Sequence, residues 1–395
     1  MERENARTMR MLFTTNPLYG HLYPMLPLMN AAQQAEHEVV VATGADFAPE
    51  VRRHGFPVWS VGPPAQQMRA QSANADEGRP TDPFEQMVEA GTRLFGRPGI
   101  ARAQDLIPLA ADWQPDVVVH ELTEAAGWQA AAVSGALDVM HGFGTHIPYL
   151  IEAMQIVLNE VRSELGREDR SLELTEVPYV DPCPPLLQPP GGTPFRNVLP
   201  LRPEMGVVHP GEELPEAMRN LPYEKTIYLT LGTAFNVPQL LAQAIDAVRN
   251  LPQNVIVTTG PGSDPASFEP LPAHIAIAPF VPQALILKHC VAVVSHTGSG
   301  TMLGALAEGL PQVCLPMGAD QFSNADQIAR TGAGVVVSPD ARTPQTIRAA
   351  ITEVLDNPSY AAGARVLQAD IAAMPSANQV LTRIVALADG RPKAP

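Results

Sequence analysis

The stretch Phe280–Ala325, FVPQALILKHCVAVVSHTGSGTMLGALAEGLPQVCLPMGADQFSNA, decides how this chain is read. An apolar run, Val291–Val294, ends at Ser295 and His296; a glycine and hydroxyl turn, Thr297–Thr301, follows, and then a helical pattern with Leu303, Leu306 and Ala307. A strand, a small-residue turn and a helix in that order present backbone N–H groups to an anion at the helix start. Gly298, Ser299, Gly300 and Thr301 are therefore the candidate anion seat. His296 adds a ring N–H at the same strand end, where open α/β sheets bind ligands. Gly309-Leu310-Pro311 stops the helix and opens a second strand, Gln312–Leu315, whose end delivers Asp320 and Gln321 to the same rim. An anion seat beside a polar pair suited to sugar hydroxyls matches a nucleotide sugar.

Outward from this stretch the alternation continues. Upstream, Thr226–Leu231 is a strand ending at Gly232 and Thr233, Val237–Val248 its crossover helix, Asn254–Thr258 and Ile275–Ala278 further strands, and Ala284–Leu287 a short helical piece. Downstream, Val335–Ser338 is the last strand, with helices over Pro344–Leu355 and Tyr360–Met374. Strand then helix at this spacing gives a parallel sheet with right-handed crossovers. Gly232 and Thr233 can approach a diphosphate closely, a weak signal alone because turns use both residues freely. The final apolar series, Val380, Leu381, Ile384, Val385 and Leu387, has helical spacing and needs a partner surface, which we expect on the first domain.

The first half follows a related plan. Met11–Thr14 is a strand, and Asn16–Pro24, NPLYGHLYP, reads as a loop in which Pro24 opens a helix through Leu26, Leu28, Met29 and Ala32. His21 then lies at the carboxyl end of the first strand. A lone histidine is usually a capping or packing residue; the strand-end position, Gly20 and a compatible carboxylate favour a catalytic base. That carboxylate comes from the strand Asp116–His120, which ends in Glu121, with Glu124 three residues later. Either carboxylate could cap the following helix; Glu121 is the first choice for orienting His21. Leu137–Met140 is another strand, and its end puts His141 on the same rim. Glu38–Ala42 is a strand and Phe47–Gly55 a helix, whereas residues 62–100 show weak periodicity interrupted by Pro63, Pro64, Pro80 and Pro83. Their apolar members, Met68, Phe84, Met87, Leu94 and Phe95, are read as a wall at the acceptor side.

Composition limits the alternatives. At 395 residues the chain exceeds the roughly 250–300 at which one core usually divides. Twenty-six basic against 41 acidic residues give a net charge of -15, which repels polyanions and offers no patch to nucleic acid or an anionic membrane. Three cysteines, Cys183, Cys290 and Cys314, show no metal spacing and suit a reducing cytosol. Met1–Arg10 has no apolar signal core behind it and no run is long enough to span a membrane, so a cytoplasmic protein is expected. From Pro178 onward proline punctuates the chain, and Tyr179–Met218 reads as loop and linker. The expected domains are residues 1–205 and 223–375, joined by a linker at 206–222, with 376–395 as a helix returning to the first domain.

Face to face, the two strand-end clusters supply a general base and a leaving-group clamp. Glycosyl transfer from a nucleotide sugar needs both, because the acceptor hydroxyl loses a proton while charge develops on the departing diphosphate. His21 would take the proton with Glu121 fixing its tautomer, and His296 with the Gly298–Thr301 N–H groups would hold the diphosphate. No Asp-x-Asp pair stands where a divalent ion would bridge phosphates, so no metal is expected. Direct displacement inverts the anomeric centre.

These residues carry a resemblance. Gly20-His21-x-x-Pro24, Leu231-Gly232-Thr233, Val281-Pro282-Gln283, Ser295-His296-Thr297-Gly298-Ser299-Gly300-Thr301 and Asp320-Gln321-x-x-Asn324 span nearly the whole chain. Together they resemble the inverting GT-B glycosyltransferases, built of two Rossmann-like domains, that decorate natural products in actinomycete bacteria, especially those of enediyne pathways such as calicheamicin. The resemblance implies His21 as base, Glu121 as its acidic partner, and His296, Ser299, Gly300 and Thr301 as the diphosphate grip. It further implies Asp320 and Gln321 on sugar hydroxyls, and the backbone around Val281 on the nucleobase. Thr297 departs from a His-Gly-Gly form common among such enzymes and brings a hydroxyl as a further candidate donor. Gly304 stands where plant relatives place a ribose-binding Glu, which removes a reason to exclude a 2′-deoxyribose and favours a dTDP-deoxysugar over UDP-glucose. The implied partners are a small-molecule aglycone and the nucleotide sugar as co-substrate; a homodimer is compatible with the sequence. Tyr19, Phe84, Phe95, His141 and Phe143 are candidates for an apolar acceptor cleft. The competing readings are a non-catalytic nucleotide-binding partner of another transferase and a nucleotide-sugar epimerase on the same frame.

Overall fold

The computed structural model describes residues 7–64, 81–167, 173–204, 208–209, 211–233, 237–260 and 263–391. Met68, placed by sequence on the acceptor wall, lies outside them. Two parallel sheets organise the chain. The first holds β1 (Arg10–Thr14), β2 (Glu38–Thr43), β3 (Val58–Ser60), β4 (Val117–Glu121), β5 (Leu137–His141), β6 (Tyr179–Asp181) and β7 (Val198–Pro200) in the order β3-β2-β1-β4-β5-β6-β7. The second holds β8 (Thr226–Thr230), β9 (Asn254–Thr258), β10 (Ile275–Ala278), β11 (Cys290–Ser295), β12 (Gln312–Cys314) and β13 (Gly334–Val336) in the order β10-β9-β8-β11-β12-β13. Strand order reverses between β1 and β4 and again between β8 and β11, which opens a crevice at the carboxyl ends of each pair.

Alternation along each strand divides its side chains between two helical layers. Met11 and Phe13 of β1 and Val117 and Val119 of β4 meet Leu26, Leu28 and Met29 of the helix Leu26–Gln34. Leu12 and Val118 point the other way, onto Ala103, Leu106 and Ala126. In the second sheet Ile227 and Leu229 face Leu241, Ile245 and Ile351, while Tyr228 and Val293 face Ile286 and Ala305. Helix Ala377–Asp389 leaves the second half and inserts Val380, Leu381 and Ile384 into the core of the first sheet.

Three segments differ from the sequence reading. The interrupted stretch before β4 is largely helical: Pro83–Gly91, a π turn at Thr92–Gly96, and Arg97–Trp113. Pro83 sits in a first helical turn, where the missing N–H costs nothing, and Asp82 caps that helix through the N–H groups of Phe84 and Glu85. Pro83, read as an interruption, is a helix start. The proline-rich segment after Pro178 contains β6 and β7, because its prolines flank β6 and end the edge strand β7, where a missing donor is tolerated. Between them the chain does not act as a free linker. Cys183 and Leu187 join Met302, Leu306 and Ile328 in one apolar cluster, and Arg330 donates to the carbonyls of Leu186 and Gln188. This strap ties the first domain to the second. Finally, His21 lies in a helical turn, Tyr19–Leu22, which runs through a 3-10 turn at Tyr23–Met25 into Leu26–Gln34; Pro24 sits inside this continuous run and does not open it.

Candidate active site

Parallel pairing of β1 with β4 sets Thr14 beside His120, so the residues just past each strand share one crevice. There His21 Nδ1 lies 2.9 Å from Glu121 Oε1. Glu121 is buried and also accepts from Thr123 N at 2.7 Å and Thr123 Oγ1 at 2.9 Å. Glu124 is placed elsewhere: it caps the helix Ala125–Ser134 through the N–H groups of Ala126 and Gly127 and pairs with Arg102 at 3.0 Å. Burial lowers the proton affinity of His21, but the charge and hydrogen bond of Glu121, with Asp320 adding to them and Arg102 opposing, leave its pKa raised above 6.5. Burial works the other way on Glu121, yet the His21 ring and the Thr123 donors bring its pKa down to about 2. With Nδ1 committed to a carboxylate, the neutral ring keeps its lone pair on Nε2. Phe143 and Phe95 flank the imidazole at ring distances of 5.4 and 6.0 Å, and Phe84 meets Tyr149 further out at 6.2 Å.

Two residues expected at the acceptor side lie elsewhere. His141 is fully buried, its Nδ1 facing the carbonyl of Gly142, and desolvation drives its pKa to about 4. Tyr19 packs edge-on against Tyr23 and Phe47 beside the core of the first sheet. Both occupy strand-end or loop positions that suggested the rim, but the side chain points inward in each case.

Across the cleft the second sheet builds a different kind of pocket. His296, directly after β11, is enclosed by two glycine backbones: a Cβ on Gly232 would lie 2.6 Å from its ring, and one on Gly298 would lie 2.4 Å from its Nε2. Gly232 has φ +79, so two requirements fall on glycine at that position. Desolvation lowers the His296 pKa to about 4 against the pull of Asp320, and the ring is neutral at pH 7. Helix Ser299–Ala307 begins at Gly298 with no side-chain cap, leaving its first-turn N–H groups to be met by a ligand. Ser299 Oγ donates to Asp320 Oδ2 at 2.6 Å, and Thr301 Oγ1 accepts from Gln283 at 2.9 Å. The seat is thus mainly backbone, with Gly300 open at its mouth. Thr297 adopts φ +63 and is fully buried, so its hydroxyl is not on the cleft; the left-handed backbone explains why glycine would sit more easily there. Thr233 follows Gly232 at the end of β8, and the Val281 side chain is buried beneath the Phe280–Gln283 turn, leaving only backbone for recognition.

Asn324 and Gly144, to which the sequence reading assigned no role, join the two sides. Asn324, buried on helix Gln321–Arg330, donates to Thr297 O at 3.0 Å and Asp320 Oδ2 at 2.8 Å, and accepts from Thr145 Oγ1 of the first domain at 2.6 Å. Gly144 lies so close to the seat that a Cβ there would fall 1.8 Å from Ser299 Oγ. Asp320 acts electrostatically on both His21 and His296. Gln321 is buried and turns its carbonyl to the N–H groups of Met317 and Gly318. Among the described residues no group of three or more His, Cys, Asp or Glu side chains is placed to hold a metal ion, and no helix is long and apolar enough to cross a membrane.

Two family models match most of the chain, from residue 30 onward, and leave out the segment that carries His21. The N-terminal domain of erythromycin biosynthesis protein CIII-like proteins matches residues 30–232, and the C-terminal domain of the same family matches 242–387. The chain belongs to the erythromycin biosynthesis protein CIII-like family. L-demethylnoviosyl transferase of Streptomyces niveus is 30% identical over 93% of this chain and 95% of its own length. Aclacinomycin-T 2-deoxy-L-fucose transferase of Streptomyces galilaeus is 29% identical over 94% of each chain. Among solved structures, the Streptomyces sp. SF2575 glycosyltransferase SsfS6, complexed with thymidine diphosphate, superposes with a TM-score of 0.78 at 27% identity, covering 95% of this chain and 99% of that one. The protein is accordingly a glycosyltransferase of GT-B fold, and its relatives act in making natural-product antibiotics.

Proposed function

We propose that this CIII-like protein transfers a deoxysugar from a dTDP-sugar to a hydroxyl of a natural-product aglycone, with inversion at the anomeric carbon. The observation that carries the reading is the His21–Glu121 contact set across the cleft from the glycine-walled His296. In the forward step the acceptor oxygen attacks the anomeric carbon, its proton passes to His21 Nε2, and the bond to the diphosphate oxygen breaks. Glu121 stabilises the imidazolium that forms. The neutral His296 N–H and the start of helix Ser299–Ala307 receive the charge that develops on the diphosphate, and Asp320 with Gln321 meets the sugar hydroxyls. The leaving group is assigned to these protein groups without a metal ion. The thymidine diphosphate held by the SsfS6 structure and the deoxysugar named for the aclacinomycin relative support a dTDP-deoxysugar donor. So does Gly304, which offers no carboxylate to a ribose 2′-hydroxyl. Phe95 and Phe143 beside His21 favour a flat, apolar acceptor; an enediyne core is the finer form of this proposal and rests on the sequence resemblance.

The test is a turnover screen of dTDP- and UDP-sugars against polyketide, enediyne, macrolide and aromatic aglycones, with and without EDTA. Transfer from a dTDP-sugar, unchanged by EDTA and giving inverted product, is the expected result. Nucleotide-sugar isomerisation without transfer would replace this reading with an epimerase, and tight dTDP binding with no transfer to any acceptor would favour an auxiliary protein.

A further inference from the structure

Behind the His21–Glu121 contact lies a second layer with no exposure to the cleft. Asn16, Arg102 and Glu124 are all buried. Arg102 Nη1 donates to Glu124 Oε1 at 3.0 Å and to Asn16 Oδ1 at 2.8 Å. The other end of the same amide, Asn16 Nδ2, donates to Glu121 Oε1, the oxygen that faces His21, and to Thr123 Oγ1 at 3.1 Å. Two opposite-charge pairs therefore sit side by side, Arg102 with Glu124 and His21 with Glu121, with one neutral side chain between them.

The position demands an amide. A side chain there must accept from a guanidinium at one end and donate to a carboxylate at the other, and among the uncharged side chains of this length only an amide presents separate acceptor and donor atoms. An aspartate would satisfy Arg102 but oppose Glu121; an apolar residue would orphan a buried guanidinium contact and remove one donor from Glu121.

We propose that Asn16 is a positioning residue that sets the basicity of His21: it fixes the Glu121 carboxylate and draws off part of its acceptor capacity, while Arg102 locks the amide orientation. The inference rests on the reading of His21 as the base. The ionisable groups acting on His21 are Glu121 from the end of β4, Arg102 from helix Arg97–Trp113 and Asp320 from the second domain. Glu124 is held by Arg102 and the helix start, and His141, which senses Glu121, is neutral across the working range. With Asn16 removed, Glu121 bonds fewer competitors and interacts more strongly with the imidazolium.

The experiment is an NMR titration of the His21 ring nitrogens in ligand-free wild-type protein, Asn16→Ala and Asn16→Asp, beside the pH profile of kcat/KM. In Asn16→Ala the His21 pKa is expected to rise by about half a unit, because the lost hydrogen bond is to Glu121 and only its difference between the two protonation states of His21 reaches the imidazole. The acid limb of kcat/KM should move up by the same amount. Asn16→Asp keeps a partner for Arg102, guarding against a fold failure in the alanine variant, and adds negative charge; its His21 pKa should rise further. A His21 pKa unmoved or lowered in folded Asn16→Ala protein, or lowered in folded Asn16→Asp protein, would overturn the inference. A pKa that rises while the acid limb stays in place would uphold the role of Asn16 on His21 and remove His21 from the reaction.

Discussion

The crevice between β1 and β4 and the crevice between β8 and β11 occupy the same place in two similarly wound sheets, yet they treat a histidine in opposite ways. In the first, the residues after the strands are Asn16, His21, Glu121 and Thr123, and charge accumulates: Glu121 raises the pKa of His21 against the effect of burial. In the second, the corresponding strand ends carry Gly232 and His296, and the ring lies between glycine backbones with its pKa lowered to about 4. One ring gains a carboxylate that favours its protonated form; the other is held neutral by desolvation. Identical side chains acquire different chemistry from the residues at the end of the neighbouring strand.

The comparison breaks most sharply at Glu121. Glu121→Gln keeps the shape but removes the charge, and we expect kcat to fall about 10²–10⁴-fold, the range that general-base catalysis by His21 contributes and that depends on its carboxylate partner. The same change lowers the His21 pKa, so the acid limb of kcat/KM, expected above 6.5 in the parent protein because Glu121 raises His21, should move to lower pH in whatever activity survives. Binding of dTDP measured by calorimetry should be nearly unchanged. On stability the signs are opposite: the protonated His21 helps the fold below 6.5 and that help is lost as pH rises through its raised value, whereas Glu121 helps above 4.5 and its contribution is lost as pH falls toward 2.

At the second crevice, Gly298→Ala pushes a methyl toward His296 Nε2. Strain of about 1–3 kcal/mol, if it falls on the ligand-bound arrangement, corresponds to roughly fivefold to 150-fold weaker dTDP binding, with the acid limb of the rate profile in place. A variant that weakened dTDP binding and moved that limb would mean the two crevices are not separate devices. The smallest expected effect is at the contact between them. Thr145→Val removes the hydroxyl that reaches Asn324, and a net loss of about 0.5–1.5 kcal/mol predicts a severalfold fall in kcat/KM.

Much of this was legible in the sequence where a strand, a small-residue turn and a helix come one after another. The second sheet and the His296 pocket could be read from Val291–Thr301 because apolar runs and glycines carry local geometry. His21 and Glu121 could be paired because both lie at the ends of strands that a doubly wound sheet places side by side. Asn16, Arg102, Thr145 and Asn324 could not be paired that way. The contacts Asn16–Arg102 and Thr145–Asn324 join residues 86 and 179 positions apart along the chain, and nothing in local periodicity reports a hydrogen bond across such a separation. The proline-rich strap was misread for a related reason: the prolines exclude a helix locally, but only the apolar partners of Leu187 on the second domain show that the segment is anchored. His141 and Tyr19 show the converse error, since a strand-end address does not fix which way a side chain turns.

The measurement that tests the division of labour most directly is kcat and the dTDP dissociation constant determined side by side for His21→Ala and His296→Ala. The account predicts that His21→Ala loses turnover and keeps dTDP affinity, while His296→Ala weakens dTDP binding and lowers turnover with it. Full turnover in His21→Ala, or a loss of dTDP binding there equal to that in His296→Ala, would contradict it.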